Sequence, residues 1–265
     1  MSLWEAALLG MVQGLTEFLP VSSSGHLVLA EALLGLDLPG VVFEVVVHLA
    51  TLCAVLWVYR ARVFELAGGA ARGDRAAWIY IGLLVLATIP AGVVGVVAKD
   101  FFEGMFDRPV WAAGFLLVTG VLVWSIRGTA PRATDERPGP ATALWVGFAQ
   151  ALAILPGISR SGATVATGVW KGVDAVRMAE FSFLLSVPAI LGAGLLQIGA
   201  IRATDPAGAL PLAAGFVAAL LTGILAIRLF VRMLAHRTFH WFAVYCWVAG
   251  AGYLLAAAVW PGLRG

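Results

Sequence analysis

Charged residues are scarce in this sequence: only 12% of its 265 residues are Asp, Glu, Lys or Arg, whereas 61% are hydrophobic. A soluble domain carries about 25% charged residues, so this chain has too little polar surface to cover a water-soluble globule. The net charge of +2 is small and does not form the basic patch that binds nucleic acid. The composition excludes an ordinary soluble domain, argues against a nucleic-acid partner and indicates a protein surrounded by membrane lipids.

Cysteine is also scarce. The two cysteines, Cys53 and Cys246, each lie in an apolar run. Buried thiols in such surroundings usually pack as small apolar side chains, so we expect neither a disulfide nor a thiolate metal site.

Long apolar runs, by contrast, are abundant. Six stretches approach the roughly 20 apolar residues that a helix needs to cross a bilayer: 41–59, 78–98, 110–126, 181–200, 211–231 and 241–260. Two others, 3–36 and 142–174, are interrupted near the middle by Pro, Gly and Ser residues. A broken backbone at membrane depth must be buried in protein or line a polar cavity. The predicted fold class is therefore an all-α polytopic membrane protein with six transmembrane helices and two re-entrant helix–break–helix segments.

The charges of the loops predict the orientation, because cytoplasmic loops carry an excess of Lys and Arg. Loops 60–75, 127–140 and 232–240 are basic and are predicted to be cytoplasmic. Loop 99–109 is acidic on balance and loop 201–210 is nearly neutral, so both are predicted to be external. With this orientation, both termini are predicted to lie on the external side of the membrane.

The two halves of the chain are related by an offset of 137 residues. Residues 10–37 align without gaps with residues 147–174, and nine of the 28 positions are identical. The identical pairs are Gly10/Gly147, Gln13/Gln150, Leu15/Leu152, Ser22/Ser159, Ser24/Ser161, Gly25/Gly162, Val28/Val165, Gly35/Gly172 and Asp37/Asp174. We predict a single domain, 1–265, built of two inverted repeats, about 1–127 and 142–265, joined by a cytoplasmic linker 128–141. Such repeats place a site near the midplane, where the broken helices meet.

The first broken segment carries a carboxylate in apolar surroundings, which is costly and by default marks a site. Glu17 shares a helix face with Gln13, four residues earlier, and together they offer the oxygen ligands of a hard divalent cation, Mg²⁺ or Ca²⁺. Pro20 ends the helix, and polar residues follow it: Ser22, Ser23, Ser24 and His26. The alternative is a structural carboxylate that caps the Ser-rich turn.

The second broken segment has the composition of an anion site. Arg160 supplies a planar, permanently charged group suited to phosphate, and a helix beginning after Gly162 would point its positive end at the same place. The hydroxyl donors around it are Ser159, Ser161 and Thr164. The alternative is an ion pair between Arg160 and Glu17 without chemistry.

Together the segments supply what diphosphate hydrolysis needs: charge neutralisation, a nucleophile and a proton donor. We predict one polar pocket in which Glu17 and Gln13 hold the cation. In this pocket the pyrophosphate is bound by Ser22, Ser24, Ser159, Arg160, Ser161 and Thr164. The nucleophile stays open between His26, Ser23 and water, and His26 is also the candidate general acid or base.

Two motifs carry a family resemblance that covers essentially the whole chain. They are Gln13-xxx-Glu17 running into Pro20-Val21-Ser22-Ser23-Ser24-Gly25-His26, and Pro156-Gly157-Ile158-Ser159-Arg160-Ser161-Gly162-Ala163-Thr164. They resemble the motifs of the bacterial undecaprenyl-pyrophosphate phosphatases, also known as bacitracin-resistance proteins. That family has Glu or Gln at the first position of its acidic motif, where this chain has Gln13.

The resemblance implies a divalent-metal-dependent hydrolase of the bacterial cytoplasmic membrane, with its active site open to the external side. Its substrate would be the C55 isoprenyl pyrophosphate, and its product the lipid monophosphate reused in peptidoglycan assembly. A homodimer is one arrangement that the sequence allows. The main rival function is a transporter or flippase of the lipid monophosphate that uses the same anion site, and a receptor for lipid phosphates ranks last.

Overall fold

The computed structural model describes residues 1–34, 42–196 and 209–263, and this part of the chain is helical, without named strands. Its α-helices are α1 Leu3–Phe18, α2 Ser23–Leu34, α3 Val42–Val58, α4 Arg60–Ala71, α5 Arg75–Val97, α6 Lys99–Phe106, α7 Pro109–Ser125, α8 Pro140–Leu152, α9 Arg160–Trp170, α10 Ala175–Leu196, α11 Ala209–Ala235 and α12 Trp241–Val259. The predicted all-α fold is confirmed.

The predicted spans correspond to α3, α5, α7, α10, α11 and α12. The last five, with α7 continued to Arg132, are each long and apolar enough to cross a membrane, and α3 continues into α4 across a bend of 76°. Their outward faces carry exposed apolar side chains such as Val97, Leu221 and Leu255. A water-soluble protein would expose polar groups there, so the polytopic membrane fold is confirmed. The end of predicted span 181–200 and most of loop 201–210 lie outside the described residues.

Two of the predicted loops contain helices. Helix α4 fills most of loop 60–75, and α6 fills most of loop 99–109. Backbone N–H and C=O groups near a membrane need partners, and a short helix provides most of them within the segment. Asp74 separates α4 from α5, because its side chain accepts a hydrogen bond from the N–H of Ala76 and caps the start of α5.

Each broken segment is a helix, a short break and a second helix. The first segment is α1 and α2 with a break at 19–22, and the second is α8 and α9 with a break at 153–159. The longest of these helices, α1, has 16 residues. At 1.5 Å per residue it rises about 24 Å, less than the roughly 30 Å of a hydrocarbon core. The helix–break–helix prediction is confirmed; Gly35 and Asp37 lie outside the described residues.

The first helix of each half packs against a helix of the other half. Helix α1 lies along α11, and its repeat counterpart α8 lies along α5, the counterpart of α11. The paired glycines of the repeat occupy these contacts. A Cβ on Gly10 would collide with the backbone of Gly215, and a Cβ on Gly147 would lie 2.7 Å from the carbonyl oxygen of Ala87. Gly10 and Gly147, which match at the offset of 137 residues, thus both lie at close helix–helix contacts.

Candidate active site

A serine caps the helix that follows each break. Ser22 Oγ accepts a hydrogen bond from the N–H of Gly25 at 3.3 Å, and Ser159 Oγ accepts one from the N–H of Gly162 at 3.1 Å. Serine is a favoured N-cap because its oxygen satisfies a free backbone donor. Helix α9 therefore begins at Arg160, and the prediction that it begins after Gly162 is wrong by three residues. Both helices present their positive N-terminal ends at the breaks.

The two breaks contact each other directly. Ser22 Oγ also accepts a hydrogen bond from the N–H of Gly157 at 3.1 Å, and Ser161 Oγ donates to the carbonyl oxygen of Leu19 at 3.1 Å. A Cβ on Gly25 would lie 2.8 Å from the Cα of Gly157, which leaves room for glycine only. Ser22 has a φ of 67°, a left-handed conformation that is uncommon for a residue other than glycine. Its two accepted hydrogen bonds hold it there.

The carboxylate of Glu17 is the point at which the polar side chains of both segments converge. Arg160 Nη2 donates to Glu17 Oε1 at 2.8 Å, and Ser23 Oγ donates to Glu17 Oε2 at 2.6 Å. Gln13 Nε2 donates to Oε2 as well, at 3.0 Å, and His48 Nε2 lies 3.7 Å from it. Ser23 and Arg160 are the first residues of α2 and α9 and are related by the repeat offset. Equivalent positions in the two halves thus contact one carboxylate.

Side chains from two spans support the second break. Arg160 Nη1 donates to the carbonyl oxygen of Ser182 on α10 at 3.1 Å, and Thr164 Oγ1 lies 2.7 Å from Ser182 Oγ. On the other side, Thr119 Oγ1 of α7 accepts the N–H of Ser159 at 2.9 Å. The sequence analysis missed Ser182 and Thr119. A lone hydroxyl in an apolar span usually bonds to the backbone of its own helix, so the sequence contains no signal for these contacts.

A cavity of about 850 Å³ opens beside Glu17. The polar residues of its wall are Glu17, Ser22, Ser23, Ser24, Glu44, His48, Gln150, Ser159 and Arg160, together with Thr88 of α5 and Lys99 and Glu103 of α6. Glu44 and His48 both lie on α3, four residues apart. The apolar part of the wall comes from α3, α5, α6, α10 and the second break, and includes Val96, Phe102, Phe106, Ala189 and Ile190. A polar end joined to an apolar wall fits an amphiphile with an anionic head and a hydrocarbon tail.

Four of the predicted site residues are not part of the cavity wall: Gln13, His26, Ser161 and Thr164. Gln13, Ser161 and Thr164 are fully buried and contact other site residues. His26 Nδ1 lies 2.8 Å from the carbonyl oxygen of Ser22, to which it must donate, and His26 Nε2 therefore accepts from the hydroxyl of Tyr245 at 2.8 Å. Tyr245, on α12, was also missed from the sequence. Both imidazole nitrogens are thus engaged in holding α2 against α12.

Glu17 and Gln13 offer oxygen atoms to a divalent cation. Gln13 Oε1 is buried and has no hydrogen-bond partner among the described residues, and carboxylate and carboxamide oxygens suit Mg²⁺ or Ca²⁺. The described residues contain no group of three or more His, Cys, Asp or Glu side chains that could hold a metal by themselves. Mg²⁺ commonly takes one or two protein carboxylates and completes its shell with substrate phosphates and water. The residues present fit a cation bound in that way.

Comparison with known proteins shows similarity over nearly the whole chain to proteins named undecaprenyl-diphosphatase. The chain is 40% identical to that of Desulfatibacillum aliphaticivorans, over 95% of this chain and 98% of the relative. It is 38% identical to that of Methanosphaera stadtmanae, over 96% and 98%, and 42% identical to that of Syntrophotalea carbinolica, over 94% and 97%. Residues 6–252, which include both breaks and both motifs, match the family described as bacitracin resistance protein BacA. The resemblance noted from the two motifs is thereby confirmed, and the chain belongs to the bacitracin resistance protein BacA family.

Proposed function

We propose that the chain hydrolyses undecaprenyl pyrophosphate to undecaprenyl phosphate and inorganic phosphate. The observation that carries this proposal is the position of Glu17, which is bound by Ser23 and Arg160 at the polar end of a cavity with an apolar wall. Relatives named undecaprenyl-diphosphatase support the same activity. A phosphate-binding centre beside a hydrocarbon-binding wall is what this substrate needs.

In the proposed complex, the pyrophosphate lies at the two breaks and the isoprenyl chain follows the apolar wall. The N-termini of α2 and α9 favour negative charge. The guanidinium of Arg160 and the hydroxyls of Ser24 and Ser159 donate hydrogen bonds to phosphoryl oxygens. Charge developing on these oxygens is stabilised by donors already in place. A divalent cation on Glu17 and Gln13 would supply further charge neutralisation.

Ser23 is the nucleophile in this proposal. Its hydroxyl already donates to Glu17 Oε2 at 2.6 Å, so the carboxylate can take the proton as the oxygen attacks the terminal phosphorus. The bond to the lipid monophosphate breaks, and water then releases phosphate from the serine. His26 acts as a positioning residue, because its ring bonds to the Ser22 carbonyl and to Tyr245 and does not line the cavity.

The proposed location is the bacterial cytoplasmic membrane, with the cavity open to the external side. Helix α6, which lies in the connection predicted to be external, contributes Lys99, Phe102, Glu103 and Phe106 to the cavity wall. Lys99 Nζ lies 3.5 Å from Glu103 Oε1 at this end. An opening there would admit a lipid pyrophosphate from the outer leaflet and return the monophosphate to the same leaflet for peptidoglycan assembly.

The test is release of inorganic phosphate from farnesyl pyrophosphate by the detergent-purified protein. Detergent micelles have no two separated faces, so turnover there distinguishes an enzyme from a lipid carrier. Arg160→Ala and Ser23→Ala should each lower kcat by at least about 100-fold, whereas Arg127→Ala and Ser125→Ala, at exposed positions of the chain, should not. Absence of turnover in the parent protein, or full activity of Arg160→Ala, would contradict the proposal.

A further inference from the structure

Gln150 is a buried polar side chain in the cavity wall that has no partner in the part of the chain that the structure describes. It lies on α8, is 4% exposed and lines the cavity with Ser159 and Arg160. Neither the nitrogen nor the oxygen of its carboxamide makes a hydrogen bond there. Buried polar groups in folded proteins are nearly always paired, so an unpaired carboxamide at a cavity indicates a ligand.

The repeat shows why Gln150 has no partner among the described residues. Its counterpart, Gln13, donates through Nε2 to Glu17, four residues further along the same helix face. The residue four positions after Gln150 is Ile154, whose side chain cannot accept a hydrogen bond. The second half has the carboxamide, but it lacks the carboxylate to which the equivalent carboxamide donates in the first half. The donor group of Gln150 is therefore available for something outside the chain.

The surroundings of Gln150 determine the chemistry of that ligand. Gln150 adds two N–H donors to an end of the cavity where Ser159 and Arg160 are also donors. The acceptor-rich group that meets all three is a phosphoryl group. The last torsion of a Gln side chain is broad, so the amide can turn towards such a ligand at little cost.

We propose that Gln150 Nε2 donates a hydrogen bond to a non-bridging oxygen of the pyrophosphate and so contributes to substrate affinity. This inference rests on the proposed function for the identity of the substrate. Gln150 is then a binding residue in addition to the serines and the arginine of the two motifs. Its repeat counterpart, Gln13, donates its hydrogen bond to the carboxylate of Glu17 instead.

The test compares Gln150→Met with Leu144→Met in the detergent-purified full-length protein. Both changes introduce the same side chain into α8, but Leu144 is exposed on the outside of the helix and is not part of the cavity wall. Affinity for a non-hydrolysable probe, farnesyl methylenediphosphonate, is measured by calorimetry, and KM and kcat are measured with farnesyl pyrophosphate. We expect Gln150→Met to weaken probe binding and raise KM by about tenfold or more, with a smaller change in kcat. Leu144→Met should change neither.

Thermal unfolding without ligand separates this role from a structural one. If Gln150 has no internal partner, replacing its buried amide by an apolar side chain should leave the melting temperature of Gln150→Met equal to the parent value or higher. Gln150→Glu, of nearly the same shape, should bind the probe more weakly than Gln150→Met because a carboxylate repels the anion. Unchanged probe affinity in both variants would overturn the inference. Absence of turnover in a parent protein that still binds the probe would overturn only the proposed hydrolysis.

Discussion

At the scale of single residues, Glu17 shows how a carboxylate is accommodated at membrane depth. An intramembrane carboxylate is costly unless it is paired, and Arg160, Ser23 and Gln13 all donate to it. The need for a cationic partner is visible in the sequence, because Glu17 lies in the apolar part of one broken segment and Arg160 in that of the other. The contacts from Ser182 and Tyr245 are not visible, because each comes from a helix distant in the chain and carries no local pattern.

The first residue-scale prediction concerns Arg160→Lys. The guanidinium reaches Glu17 Oε1 and the Ser182 carbonyl at the same time, and a single ammonium group lacks this fork. We expect kcat/KM for phosphate release to fall by about 10- to 100-fold and to remain above the value of Arg160→Ala. Arg127→Lys, at an exposed position beside Trp124, is the control. Equal activity of Arg160→Lys and the parent protein would show that charge alone matters.

The second residue-scale prediction concerns His26 and Tyr245. Since the hydroxyl of Tyr245 donates to His26 Nε2, the two residues should act as one unit in positioning the start of α2. His26→Ala and Tyr245→Phe should each lower kcat, and the double variant should lose no more than the worse single variant. If Tyr245→Phe kept full activity while His26→Ala lost nearly all of it, His26 would act directly on the substrate.

At the scale of helices, close packing decides how the broken segments are held. Helices α1 and α8 approach their partners through glycine, and the repeat places Gly10 and Gly147 at equivalent positions. The sequence predicts both breaks, because Pro, Gly and Ser interrupt apolar runs at the right spacing. It does not predict helices α4 and α6, because charged residues in short connections fit a loop and a surface helix equally well.

The element-scale prediction compares Gly147→Ala with Gly82→Ala. A Cβ at position 147 would lie 2.7 Å from the Ala87 carbonyl oxygen and 2.9 Å from the ring of Pro90, whereas a Cβ at position 82 would meet nothing within 4 Å. Overpacking typically costs about 1–3 kcal/mol, and Ala in place of a free helical Gly gains up to about 1 kcal/mol. Thermal unfolding in detergent should show a lower melting temperature for Gly147→Ala and an equal or higher one for Gly82→Ala. The opposite order would contradict the described α5–α8 contact.

At the scale of the whole molecule, the predicted inverted repeat would explain why two segments far apart in the chain share one cavity. Matching residues at an offset of 137 and an odd number of spans per half are enough to predict that the breaks approach from opposite faces. The sequence also predicts how the site is divided, since the first segment carries the carboxylate and the second carries the arginine. It does not predict that Ser23 and Arg160, at equivalent positions, both contact Glu17, and only the packed structure shows this.

The whole-molecule prediction concerns orientation. Gly104, in α6, and Gly128, in the linker, both have free space around them, and the chain's own exposed thiol, Cys53, can first be removed by Cys53→Ala. In intact spheroplasts, a membrane-impermeant maleimide should label Gly104→Cys and should label Gly128→Cys only after the membrane is opened. The reverse pattern would place the cavity opening on the cytoplasmic side.

The shared site itself is tested by a double-mutant cycle between the two segments. Steady-state phosphate release from farnesyl pyrophosphate is measured for the parent protein, Glu17→Gln, Arg160→Gln and the double variant, and kcat/KM is compared. If the carboxylate and the guanidinium act as one unit, the double variant loses about as much as the worse single variant, with a coupling free energy above about 1 kcal/mol. Losses that simply multiply would show that the two segments work independently.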